Sequence, residues 1–141
     1  MKTFQKLTLL MSMIVLLSAI PMMAQIGDGM TFQAPSAFYA GNAKLPPGSY
    51  RVTRPDDNSE LLLIESVDGL HSVLIEYVPD DSPTAPSQTE ITFNKYGDID
   101  FLSSVSVQGE GSVQILASKA EHNAAKNAAL EKHSLSAKNG R

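Results

Sequence analysis

The amino-acid sequence predicts an all-β domain, a sandwich or small barrel of about seven antiparallel strands, with an Ala-rich α-helix at its C-terminal end. Three observations lead there. Short apolar runs alternating with polar residues recur from Thr31 to Ala117, broken by turn signals roughly every 8–12 residues. Asp68-Gly69, a favoured hairpin centre, separates two of the strongest runs. With no Cys among 141 residues, the domain must fold by apolar burial alone, so its strands should be good core formers.

The first segment reads as an address rather than as part of that domain. Met1–Lys6 carries Lys2 and Lys6 and no acid, and Leu7–Ile20 is apolar except for Thr8, Ser12 and Ser18. Pro21 ends the run, and Ala24 is a small residue of the kind found before a signal-peptidase cut. Fourteen residues are too few for a spanning helix, which needs about 20. The expectation is a signal peptide over 1–24, cleaved between Ala24 and Gln25, no membrane span afterwards, and a periplasmic or extracellular location.

The β domain is expected over 25–117. Thr31–Ala34 and Ala37–Ala40 form one strand interrupted by Pro35, a pattern of sheet edges. Gly41–Gly48 is a turn region, and Ser49–Arg54 alternates Tyr50 and Val52 against Arg51 and Thr53. Glu60–Ser66 and His71–Val78 flank Asp68-Gly69 as a hairpin with a two-residue type I′ loop. Leu61 to Ile64, four apolar residues in a row, suggest a central strand buried on both faces. Pro79–Ser87 is a Pro-rich loop. Thr89–Lys95 places Ile91 and Phe93 inward; Tyr96-Gly97-Asp98 turns the chain. Ile99–Val107 then puts Ile99, Phe101, Val105 and Val107 on one face and Asp100, Ser104 and Ser106 on the other. Ser112–Ala117 is the last strand.

Ser118-Lys119-Ala120-Glu121 matches a capping box, so a helix is expected over 118–133, with a disordered basic tail over 134–141. Its stripe of Ala120, Ala124, Ala125, Ala128 and Ala129 offers little area to bury. Beyond Ser118 five bases face two acids, a net of +3, whereas Gln25–Ala117 holds four bases and thirteen acids, a net of −9. Long-range attraction is therefore expected to help dock the helix.

Two stretches together carry a resemblance. Gly41-Asn42 through Leu45-Pro46-Pro47-Gly48-Ser49-Tyr50-Arg51-Val52 fits GNxxLPxGxYxV. Phe93, Tyr96-Gly97-Asp98 and Phe101-Leu102 fit FxxYGDxxFL, followed by Ser118 and Glu121. Behind a signal peptide, this order resembles an uncharacterised family of small exported proteins of environmental bacteria, over roughly Phe38 to Ala125. That family often carries an aromatic residue where this chain has Asp100 and Ser106. The resemblance implies export and no particular activity, and these motif residues read as structural. The LPPGSYRV piece also resembles a turn-and-strand of transthyretin-like and carboxypeptidase-regulatory β-domains, over eight residues only.

Composition excludes more chemistry than it suggests. Without Cys there is no thiol nucleophile, thiolate metal site or lipidated cysteine. A net charge of −4 with no Trp argues against nucleic acid as a partner. Asp56-Asp57, Asp80-Asp81 and the Asp98, Asp100 pair lack the spacing of a calcium loop. No G-x-S-x-G, S-x-x-K or glycine-rich phosphate loop occurs, and His71, His122 and His133 read as surface residues. No catalytic, cofactor-binding or metal residue is assigned, and no cofactor is expected. The expected function is a non-enzymatic binding or structural role in the envelope or outside the cell. The first alternative is a β-barrel carrier of a small apolar ligand; a hydrolase is the remote one.

Overall fold

The structure, a computed structural model, describes residues 29–57 and 59–140. The expected signal peptide and its Ala24–Gln25 junction lie outside the described residues. The strands are β1 (Met30–Ala34), β2 (Phe38–Ala40), β3 (Ala43–Leu45), β4 (Gly48–Thr53), β5 (Leu61–Ser66) and β6 (Ser72–Asp80). They continue as β7 (Glu90–Tyr96), β8 (Ile99–Val107), β9 (Gly111–Ile115), β10 (Leu130–Ser136) and β11 (Lys138–Asn139), with one helix, α1 (Lys119–Ala125), before β10. All-β is therefore the class, but eleven strands replace the expected seven. The Pro35 bend splits one expected strand into β1 and β2, the Gly41–Gly48 turn region contains β3, and the C-terminal segment supplies β10 and β11.

The strands form one mixed sheet in the order β10-β7-β8-β9-β6-β5-β4-β1-β11, with β2 joining β8 in parallel and β3 beside β2. By hydrogen bonding the sheet is open, yet its two ends belong to one piece of chain. β10 pairs with β7 from Leu130 to Ser136, and two residues later Lys138 and Asn139 pair with β1. β1 is thus flanked by β4 and β11 and is not the edge strand that Pro35 suggested, because the proline falls in the bend after it.

The inward face is strongly aromatic. Phe32, Phe38, Tyr50 and Phe93 meet with centroids 5.1–6.2 Å apart, in tilted, stacked and edge-to-face pairs. Val52, Leu62, Ile64, Ile75, Ile91, Leu102 and Val105 complete the core around them. β5 buries one face through Leu62 and Ile64, while Leu61 and Leu63 remain half-buried, so the four-residue apolar run does not make it a doubly buried strand.

The alternation expected for β8 fails at one point. Thr92 pairs with Ser104 but Phe93 pairs with Leu102, so Ser103 is an extra residue, a β-bulge. Each added residue exchanges the two faces. Leu102 and Asp100 therefore point inward beside Phe93, Phe101 points to the outer face, and Ile99 is exposed. The expected grouping of Ile99 and Phe101 with Val105 is corrected accordingly, and Asp100 and Ser106 are buried.

The two glycine turns also differ from expectation. Gly97-Asp98 is the two-residue loop, closing Tyr96 on Ile99 with Gly97 at φ +63°. Asp68-Gly69 instead sits in a four-residue loop, Val67–Leu70, closed by Ser66 N–H to His71 O at 2.8 Å. Only Gly69 has positive φ there, at +75°, which excludes the expected type I′ turn with two such residues.

Ser118 caps α1 as expected, accepting from the Glu121 N–H at 3.1 Å. The helix nevertheless ends at Ala125 rather than near His133, and Leu130–Ser136 is a strand. The expected disordered tail over 134–141 is likewise corrected through Gly140: Leu135 and Ala137 pack against the core, and Gly140 N–H reaches Gly29 O. Ala propensity favours helix only locally. The open edge of β7 offers a hydrogen-bond ladder, and alternation of His133, Leu135 and Ala137 supplies an inward face to meet it.

Candidate functional site

The bulge and the C-terminal strand together build a polar cluster at one end of the aromatic interior. Asp100, 7% exposed, is carried inward by β8. His133 comes from β10, opposite Phe93, and stacks on the Phe93 ring at 5.4 Å and 17°. Its Nε2 lies 2.8 Å from Asp100 Oδ1, an ion pair when the imidazole is protonated. The Ser36 hydroxyl donates to Asp100 Oδ2 at 3.4 Å. The register places Lys95 opposite both Asp100 and Glu131. Asp100 thus anchors the β1–β2 bend and β10 at once.

The order of these groups decides their chemistry. In a serine hydrolase the imidazole stands between hydroxyl and carboxylate, so that it can take the hydroxyl proton. Here the carboxylate stands between Ser36 and His133, so the hydroxyl meets Asp100 and not the imidazole. The cluster holds two segments together and lacks the hydroxyl–imidazole contact of such a triad.

A second buried carboxylate lies on the outer face. Glu121 of α1 is 5% exposed and accepts from Asn94 Nδ2 at 2.8 Å and from the Tyr96 hydroxyl at 3.5 Å. Burial, and after it the Glu121 charge, raises the Tyr96 phenol above its ordinary value. Phe101 lies between Tyr39, stacked at 5.0 Å, and Tyr96, edge-on at 5.9 Å. The Ala120 N–H at the helix start donates to Asn42 Oδ1 at 3.3 Å. Asn42, Tyr96, Phe101, Ser118 and Glu121, from three separate motif pieces, therefore meet around one short helix.

The remaining motif residues divide between core and turns. Leu45, Tyr50, Val52, Phe93 and Leu102 are buried in the core. The Tyr50 hydroxyl donates to the Pro46 carbonyl, which ties the Pro-rich turn to the rings. Burial, then the charge of Asp68, raises the Tyr50 phenol above its ordinary value. Asp68 itself is held low by hydrogen bonds from the Ser66 hydroxyl and the Leu70 N–H. Gly48 opens β4, and Gly97 and Asp98 are exposed at the tight turn. Asp100 and His133 were missed by sequence reasoning.

Two clefts open on the surface. One of about 390 Å³ lies between Pro46–Tyr50 and Ser66–Asp68, beside His71. The other, of about 600 Å³, lies between Ala40–Ala43 and Val73–Glu76 and reaches Leu116 and Ser118. Among the described residues no group of three or more His, Asp or Glu is placed to hold a metal ion, and no helix is long and apolar enough to cross a membrane. The class defined by fold and site is a mostly-β protein with an aromatic interior and two buried, hydrogen-bonded carboxylates. No protein-family model matches the chain, and no curated protein or solved structure is detectably similar to it.

Proposed function

We propose that this chain is an exported, non-enzymatic β-domain protein with a binding or structural role in the cell envelope or outside the cell. We further read its sheet as a small barrel, rolled so that the C-terminal segment bridges β7 and β1. The two-motif resemblance to small exported bacterial proteins belongs to the same proposal. The observation that carries the reading is the interior: Phe32, Phe38, Tyr50 and Phe93 occupy the space a carrier would leave for its ligand. The inverted order of Ser36, Asp100 and His133 weighs against hydrolysis in the same way.

Two measurements test it. Fractionation of expressing cells followed by intact mass should find a soluble form beginning at Gln25; a chain retaining Met1 in the membrane fraction contradicts export. Titration with a fluorescent long-chain fatty acid should give no saturable one-to-one binding. Such binding would restore the carrier and displace the present reading.

A further inference from the structure

The β6 strand is paired on both sides only in part. At the two ends of the β5–β6 ladder, Tyr77 N–H donates to Glu60 O and Ser66 N–H donates to His71 O. The odd-numbered residues of β6 therefore bond toward β5, and the N–H and C=O groups of Ser72, Leu74 and Glu76 point the other way. On that side the β9 ladder, Tyr77–Asp80 with Ser112–Ile115, already takes the Glu76 carbonyl through the Leu116 N–H. This leaves the groups of Ser72 and Leu74 and the Glu76 N–H without a ladder partner. Across the opening stands β3, which among the described residues pairs with β2 alone. Its Gly41-Asn42 hairpin places Ala43 and Leu45 in the β2 ladder and leaves the backbone groups of Lys44 outside it. The unpaired edge of β6 thus borders the cleft of about 600 Å³, whose opposite wall is the Ala40–Ala43 hairpin. Leu74 and Leu116 are 55% and 54% exposed at its rim, Val73 and Ile115 are half-buried on its floor, and Glu76 is its one charged lining residue.

We propose that this cleft binds an extended peptide as an added β-strand, with alternate apolar side chains over Val73 and Ile115 and a basic side chain against Glu76. The proposal rests on the binding role above and names its partner. Unpaired backbone donors and acceptors are satisfied by another strand, the mode of β-augmentation, and the carboxylate selects a cation beside it. A second copy fits poorly, because its own β6 arrives flanked by β5 and β9 and cannot enter between β3 and β6.

The test uses the full chain and a set of fluorescent seven-residue peptides alternating valine and threonine, each with one lysine moved through the positions. At least one register should bind saturably by fluorescence anisotropy and slow amide exchange at Ser72, Leu74 and Glu76, which should exchange fast in the free protein. Leu74→Pro removes an edge donor without touching the β5 ladder, and should weaken binding by about tenfold. Glu76→Lys should reverse the preference toward peptides with glutamate in place of lysine. Melting curves of both variants confirm that they fold. Absence of binding by every register overturns the proposal, as does binding indifferent to both substitutions. Protection of the three amides in the free protein overturns it too: concentration-independent protection means a closed edge, and concentration-dependent protection means a second copy. None of these outcomes touches export or the fatty-acid test, so this proposal can fail while the broader reading stands.

Discussion

Tyr50 shows how one side chain serves both core and turn. Its ring is 1% exposed among Phe32 and Phe38, while its hydroxyl holds the Pro46 carbonyl. Tyr50→Phe keeps the ring and removes that bond, at an expected cost of about 1 kcal/mol in urea unfolding at neutral pH. The raised phenol adds a pH signature. The folded state favours the neutral form, so stability is fully present below the unfolded value, about 10, and declines as pH rises through the raised folded value. The substituted protein should lose less stability above that pH than the parent, with Tyr96 still contributing in the same direction. Equal losses in both would remove Tyr50 from the account. That Tyr50, Val52 and Phe93 enter the core was legible from alternation alone. The pairing of Asp100 with His133 was not, since 33 residues of chain separate them and the face of Asp100 depends on a bulge elsewhere in its strand.

Among the elements, β8 carries the strongest correction and the sharpest expectation. Ser103 lets one strand serve two surfaces: Leu102 meets Phe93 inside, while Phe101 meets Tyr39 and Tyr96 beneath α1. Deleting Ser103 restores uninterrupted alternation and so turns Leu102 and Asp100 outward or throws Val105 out of the core. Thermal melting should show outright unfolding or a loss of at least about 3 kcal/mol, whereas deleting Thr84 from the exposed Pro-rich loop should be tolerated. A mild effect at Ser103 would mean that the bulge moves easily along the strand. The hairpins teach a related lesson. Gly97-Asp98 makes the tight turn while Asp68-Gly69 closes a longer loop, because strand register, set by inward partners, decides how many residues remain for each turn.

For the molecule entire, the C-terminal segment is the closing piece. β10 covers the edge of β7, β11 covers the edge of β1, and Leu135 and Ala137 pack against the core between them. Truncation after Ala125 should therefore abolish the cooperative melting transition and the β-sheet circular dichroism, in place of the separable, salt-sensitive helix that the charge distribution suggested. In the full chain, raising salt should change the melting temperature little, because exposed charge pairs contribute only ~0–1 kcal/mol each. A truncated protein that still melts cooperatively would return the tail to the status of an appendage. Neighbouring residues alone set the β class, most of the inward-facing positions up to Phe93, and the Ser118 cap, because alternation and capping are local. Which segment covers an edge, where a face reverses, and where an Ala-rich stretch stops being helical depended on residues distant in the chain. There the free energy of pairing a ladder and filling an aromatic core outweighs the few tenths of a kcal/mol per residue by which propensities differ, roughly.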